Sequence, residues 1–203
     1  MKIVSLKVVA VLLVTLVVLA SGCAQVGRKV EVVYAPLATF KGGTGVLELA
    51  ATDSAPVTGS TASLRWVIGT ISSPGGTTQG EVVSSVSPRE VLADAFKQEL
   101  SATGYQIKSS PALDKETKRG IVFTDVSVKI DEIQAMSKLE SSCAILLKMD
   151  LWENGQVVKH SEYQSKLSDI VVMDRDLLSS KLYQKAIQDM VQQAVPDIVK
   201  MFK

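Results

Sequence analysis

Asn154-Gly155 lies between two stretches suited to strands, and this limits the fold more than any other part of the 203-residue chain. Asn-Gly favours a two-residue type I′ turn, because both central positions need positive φ. Before it, Cys143, Ile145, Leu147, Met149 and Leu151 occupy every second place, which sets them on one strand face. A two-residue loop makes Glu153 face Gln156 and Trp152 face Val157. Continued without interruption, that register sets Leu151 against Val158 and Met149 against His160. It also pairs Asp150 with Lys159, a cross-strand charge pair. The returning strand is expected to run to about Leu167. Upstream, Ile121 to Ile133 alternates too, with Val122, Val126, Val128 and Ile130 on one side. Asp125, Ser127, Lys129 and Asp131 take the other. Met136 to Ser142 reads as a polar turn.

Ser87-Pro88-Arg89-Glu90 signals a helix start. Ser87 caps, Pro88 suits the first position, and Glu90 completes a reciprocal capping box. Val91, Leu92, Ala95, Phe96 and Leu100 then form one apolar stripe, and Gly104 stops the helix. The expected span is Pro88 to Thr103. A second helix follows Asp174 as its cap, with Leu178, Leu182, Ala186, Met190 and Ala194 in one row. Ile187, Val191 and Val195 lie beside that row, and Ile198, Val199 and Phe202 continue the apolar face. Pro196 should kink or restart this helix, since it removes a backbone donor. The stripes read as core, with partner docking by the last turns as the alternative. Further strands are expected at Val30–Tyr34, ended by Pro36, and at Val46–Leu49, Leu64–Ile71, Glu81–Val86 and Tyr105–Ile107. Gly42 to Gly45, Asp53 to Ser63, Ser72 to Gly80 and Ser109 to Gly120 read as loops.

The amino terminus says where the chain works. Lys2 and Lys7 precede an apolar run, Val8 to Ala20, broken only by Thr15. As a helix the run would be about 20 Å long, short for a hydrocarbon core of about 30 Å and suited to a signal peptide. Ala20-Ser21-Gly22-Cys23 follows and resembles the lipobox of bacterial lipoproteins. The usual lipobox has Leu three places before the cysteine; here Ala20 takes that place and Leu19 is one further back. The resemblance implies cleavage before Cys23 and lipidation of Cys23, anchoring the protein to the membrane. It also implies the periplasmic face of a Gram-negative outer membrane, because residue 24 is Ala, and Asp there favours inner-membrane retention. The organisation expected is a signal peptide over 1–22, a lipidated tether over 23–29 and a single periplasmic domain over 30–203.

Composition bears mainly on what chemistry to expect. Removing Lys2 and Lys7 from 22 basic residues, against 21 acidic, leaves a net charge of −1. Such a balance gives no support for a nucleic-acid partner. Besides Cys23 only Cys143 remains, read as a small buried hydrophobe, so neither an internal disulfide nor a cysteine metal site is expected. His160 is the sole histidine. A typical zinc site needs several His or Cys ligands, and no nucleophile-elbow motif occurs. His160 therefore reads as a strand residue with a satisfied ring. Asp174/Asp176 read as a helix cap and Asp131/Glu132 as a solvated strand end. No catalytic residue, metal or cofactor is expected.

Taken together, the chain resembles the YajG-type family of small bacterial lipoproteins. The resemblance rests on Cys23, the strand Val46 to Leu49, Val82-Val83-Ser84-Ser85, Val91-Leu92-Ala93-Asp94-Ala95-Phe96 and Gly104-Tyr105. A long strand, a hairpin and a C-terminal helix follow these. The layout is also similar to envelope accessory lipoproteins that serve lipid transporters and lipopolysaccharide assembly. What these resemblances imply is an α+β fold, a mostly antiparallel sheet with two helices packed on one face. They imply a non-catalytic accessory or binding component of a cell-envelope complex, with an envelope protein as partner. A lipid or small-ligand carrier with a pocket between helix and sheet is the alternative, and a periplasmic hydrolase the minor one.

Overall fold

The computed structural model describes residues 26–51 and 65–203. The expected signal peptide, Cys23 and the loop Asp53–Ser63 lie outside the described residues. Within them, the strands are β1 (Val26–Val30), β2 (Val46–Ala50), β3 (Trp66–Ser72), β4 (Thr78–Ser84), β5 (Gln106–Ser109), β6 (Arg119–Gln134), β7 (Leu139–Glu153) and β8 (Gln156–Val171). The helices are α1 (Pro88–Thr103) and α2 (Arg175–Met201).

β6 is the junction of one sheet. Along its whole length one edge pairs with β7, which pairs in turn with β8, both antiparallel. Two strands share its other edge: β3 at Ile130–Ile133 and β2 at Gly120–Val122, both parallel to it. β4 and β1 extend the sheet beyond β3, and β5 extends it beyond β2. The long ladders are antiparallel and the parallel ones are short, so the sheet is mixed but mostly antiparallel. Both helices pack against it and touch each other, giving the expected α+β arrangement.

Local chemistry explains α1. Ser87 Oγ accepts from the Arg89 amide at 3.2 Å, and Pro88 opens the helix, where its missing N–H costs nothing. Gly104 closes it at φ 118°, its amide reaching Leu100 O and Ser101 O. That left-handed cap is cheap only for glycine. Leu92, Ala95, Phe96 and Leu100 are all fully buried. Phe96 meets Phe123 of β6 edge to face at 5.2 Å, a favoured aromatic geometry. In α2 the expected stripe is buried throughout, and Ile198, Val199 and Phe202 are buried with it. The last turns are therefore core. The helix runs unbroken through Pro196 to Met201, where a kink or restart was expected. Asp174 holds the capping position but is left-handed (φ 54°), and its side chain makes no capping bond.

The long hairpins follow the sequence with two interruptions. Asn154 and Gly155 have φ 51° and 75°, as a type I′ turn requires. Glu153 pairs Gln156 and Trp152 pairs Val157 as expected. An extra residue, Val158, then bulges from β8. Leu151 consequently faces Lys159, Asp150 faces His160 and Met149 faces Ser161. The Asp150–Lys159 pair does not form, because one inserted residue moves every later side chain to the opposite face. A second bulge sits at Thr124 of β6, between the pairs Phe123–Met149 and Asp125–Lys148. It reverses the alternation there: Ile121 and Phe123 are buried ahead of it, while Val122, expected inward, is only partly covered. β7 starts at Leu139 rather than Cys143, and β8 continues to Val171 rather than Leu167.

The amino-terminal part departs most. The expected strand Val30–Tyr34 is irregular beyond Val30. The strand is instead Val26–Val30, four of whose five residues lie in the segment 23–29 expected as tether. It pairs parallel with β4 from Val26–Gly80 to Val30–Ser84. β5 lies at Gln106–Ser109, one residue later than the expected Tyr105 start. The loop expected over Ser72–Gly80 is a tight turn at 73–77 joining β3 to β4.

Candidate functional site

The site named by the sequence is Cys23, and the described structure begins three residues after it. Two buried carboxylates hold the chain that follows. The first is Glu132 on β6, expected as part of a solvated strand end but 1% exposed. It lies on the inner face because it follows Ile130 by two positions, after the Thr124 bulge has reset the alternation. Arg28 of β1 reaches it, Nε lying 2.9 Å from Oε2 as an ion pair. Ser179 of α2 donates to Glu132 Oε1, and Ser141 Oγ lies 2.9 Å from Ser179 Oγ. Arg28 Nη1 also donates to Arg175 O at 2.8 Å and Asp176 Oδ1 at 3.2 Å. β1, β6, β7 and α2 thus meet at one buried polar knot. Burial raises the Glu132 carboxyl above its usual range, and the Ser179 hydroxyl and Arg28 pull against that.

The second carboxylate is Glu99 of α1, fully buried. It accepts from Tyr34 Oη at 2.7 Å and from Ala38 N at 3.2 Å, and from Leu37 N as well. Those bonds fasten residues 34–38 of the irregular segment to the helix. Burial, then the Glu99 carboxylate, push the Tyr34 phenol far upward. Both carboxylates are buried, while Asp176 at the rim of the first knot is exposed. Their chemistry is attachment.

His160 lies elsewhere. The Val158 bulge puts it opposite Asp150, Nδ1 to Oδ1 at 2.6 Å, with the ring side chain 81% exposed. Lys148, Glu162 and Thr124 line the same shallow groove. An Asp–His pair orients an imidazole, but nucleophilic catalysis also needs an activated hydroxyl or thiol in reach. Cys143 is not that group: it is fully buried on the inner face of β7, and burial pushes its thiol up to about 12. Among the described residues no three His, Cys, Asp or Glu side chains gather to hold a metal ion.

Grooves are shallow and mostly at the margins. One of about 490 Å³ is bounded by Gly45, Val46, Glu48, Glu116, Lys118 and Arg119. Another of about 220 Å³ lies where α1 faces β2 and β5, near Ala51 and Ser110. Between the helices and the sheet the space is filled by Leu92, Phe96, Phe123, Met149, Tyr183 and Met190. The residues sequence reasoning missed are Arg28 and Glu132, Tyr34 and Glu99, together with the partnership of Asp150 with His160. Glu132 continues the inward parity of Val126, Val128 and Ile130, and that parity is the signal that could have flagged it.

No family model matches the sequence, and no curated protein matches it. Solved structures of similar shape include a Xanthomonas campestris protein of the family model DUF330, at 10% identity and TM-score 0.49. The match covers 86% of this chain and 95% of that one. A minor lipoprotein of Acinetobacter baumannii matches at 14% identity and TM-score 0.43, over 66% of this chain and 94% of its own. The rare lipoprotein B of Shewanella oneidensis matches at 9% and 0.36, over 66% and 98%.

Proposed function

We propose that this protein is a lipid-anchored, non-catalytic accessory component of the bacterial cell envelope, of the YajG-type kind its sequence resembles. Acyl chains on Cys23 hold it to the periplasmic face of the outer membrane, and it binds an envelope protein. The observation that carries this reading is where the chain enters the fold. Val26 joins the sheet three residues after Cys23, and Arg28 is fixed in a buried knot immediately afterwards. A domain tied so close to its anchor is held at the membrane in a limited range of orientations. Two acyl signals suffice for stable anchoring, each buried methylene contributing about 0.8 kcal/mol.

A partner has a suitable surface on β8. That strand pairs only with β7 among the described strands. On its other edge alternate residues of the strand turn backbone donors and acceptors outward, with Gln164 O already accepting from Gln193 Nε2 of α2; the rest present the pattern that strand addition uses. The test is crosslinking in intact envelopes followed by recovery of the tagged full-length protein. A stoichiometric envelope partner crosslinked through β8 is expected. Recovery of the protein alone, with acylation intact, contradicts the accessory reading.

A further inference from the structure

The end of the sheet where Val26 opens β1 is also the end where six large apolar side chains are bare. The registers locate it. Val26 pairs Gly80, Gly80 pairs Ile71, and Ile71 pairs Glu132, next to Ile133 near the close of β6. The β6–β7 turn, the end of β8 and the first turn of α2 lie at this same end. Arg175 ties them together, donating to Met136 O at 3.0 Å and Val172 O at 3.3 Å, while its own carbonyl accepts from Arg28.

Met136 is fully exposed, Met173 78% and Val172 67%. Leu177, Ile170 and Ile133 are exposed beside them. These six make half of the twelve large apolar residues exposed among the described ones. Such a concentration marks a contact surface rather than ordinary scatter. From Cys23 to Val26 the chain can reach at most about 11 Å. An acylated Cys23 therefore brings this end, and no other, to the bilayer. Charges around it are balanced: Lys138, Arg175, Lys181 and Lys185 against Glu140, Asp169, Asp174 and Asp176. Attraction to anionic lipid is thus minor, and burial of apolar groups in the headgroup boundary is the main contribution.

We propose that this apolar end is a membrane-resting surface: Met136, Val172, Met173 and Leu177 enter the lipid headgroup layer beside the acyl anchor. The inference rests on the anchoring of Cys23 proposed above. It predicts a fixed orientation, with the Asn154-Gly155 turn pointing away. The fourteen residue steps of β7 separate the two ends by roughly 45 Å.

The test uses full-length protein, processed in the envelope, extracted and placed in vesicles of phosphatidylethanolamine and phosphatidylglycerol. Met136→Cys, Met173→Cys and Gln156→Cys are each labelled with an environment-sensitive fluorophore. Acylation blocks Cys23 and burial protects Cys143, so the introduced thiol takes the label. Nitroxide lipids are expected to quench the labels at 136 and 173 severalfold more than the label at 156, with little dependence on salt. Intact mass is read on each sample. Acylated protein with equal quenching at all three positions overturns the membrane-resting surface and leaves the anchor standing. Protein without acyl mass overturns both.

Discussion

Glu99 and Glu132 are both buried carboxylates that hold the amino-terminal chain, but their surroundings differ. Glu99 is satisfied by neutral donors, two backbone amides and a phenol. Glu132 faces a cation, Arg28, and a serine hydroxyl. The difference teaches what each knot does. Amides and a phenol shape a loop locally, over 34–38. A buried ion pair ties distant elements together, and here it links β1, whose sheet neighbour is β4, to β6 and α2.

The largest effect should come from Arg28→Met. It leaves Glu132 buried without its cation, a change that costs about 3–5 kcal/mol near neutral pH. The pH dependence distinguishes this from simple loss of packing. Burial lifts the folded-state carboxyl above its usual range, and removing Arg28 lifts it further. The folded state then holds its proton at pH values where the unfolded state has released it, so stability falls as pH rises through that interval. Urea unfolding of Arg28→Met should therefore show a smaller defect at acid than at alkaline pH. Glu132→Gln should flatten the dependence in the parent protein.

Glu99→Ala comes next. It orphans the Leu37 and Ala38 amides and the Tyr34 hydroxyl, at about 2–3 kcal/mol. Hydrogen exchange should rise over 34–38 and stay unchanged in β1, whereas Arg28→Met should raise exchange in β1. Equal release of both segments by either substitution would merge the two knots into one cooperative unit. Tyr34→Phe removes one bond to Glu99 and should cost about 1 kcal/mol. Smallest is His160→Ala. Its exposed pair with Asp150 should contribute within about 0.5 kcal/mol, read by the same unfolding curves.

What the sequence disclosed follows the same division between local and distant causes. The bounds of α1 were legible because Ser87-Pro88 and Gly104 act on their own neighbours. The turn at Asn154-Gly155 was legible for the same reason. The bulges at Thr124 and Val158 were not. Neither residue type demands one, so nothing local marks them. β1 escaped detection because Val26-Gly27-Arg28-Lys29-Val30 lacks a clear alternation and finds its partner β4 some fifty residues later. Glu132 looked solvated because its cation lies about a hundred residues earlier in the chain. The lipidation of Cys23 is the reverse case, a reading of local motif that falls outside the described residues.

The anchoring of a domain pinned directly behind Cys23 is tested most directly by the intact mass of membrane-extracted protein, parent beside Cys23→Ala. The account predicts a mature chain beginning at Cys23 with added acyl mass, and loss of that species in the variant. An unmodified chain, or one cut elsewhere and released from the membrane, would contradict it.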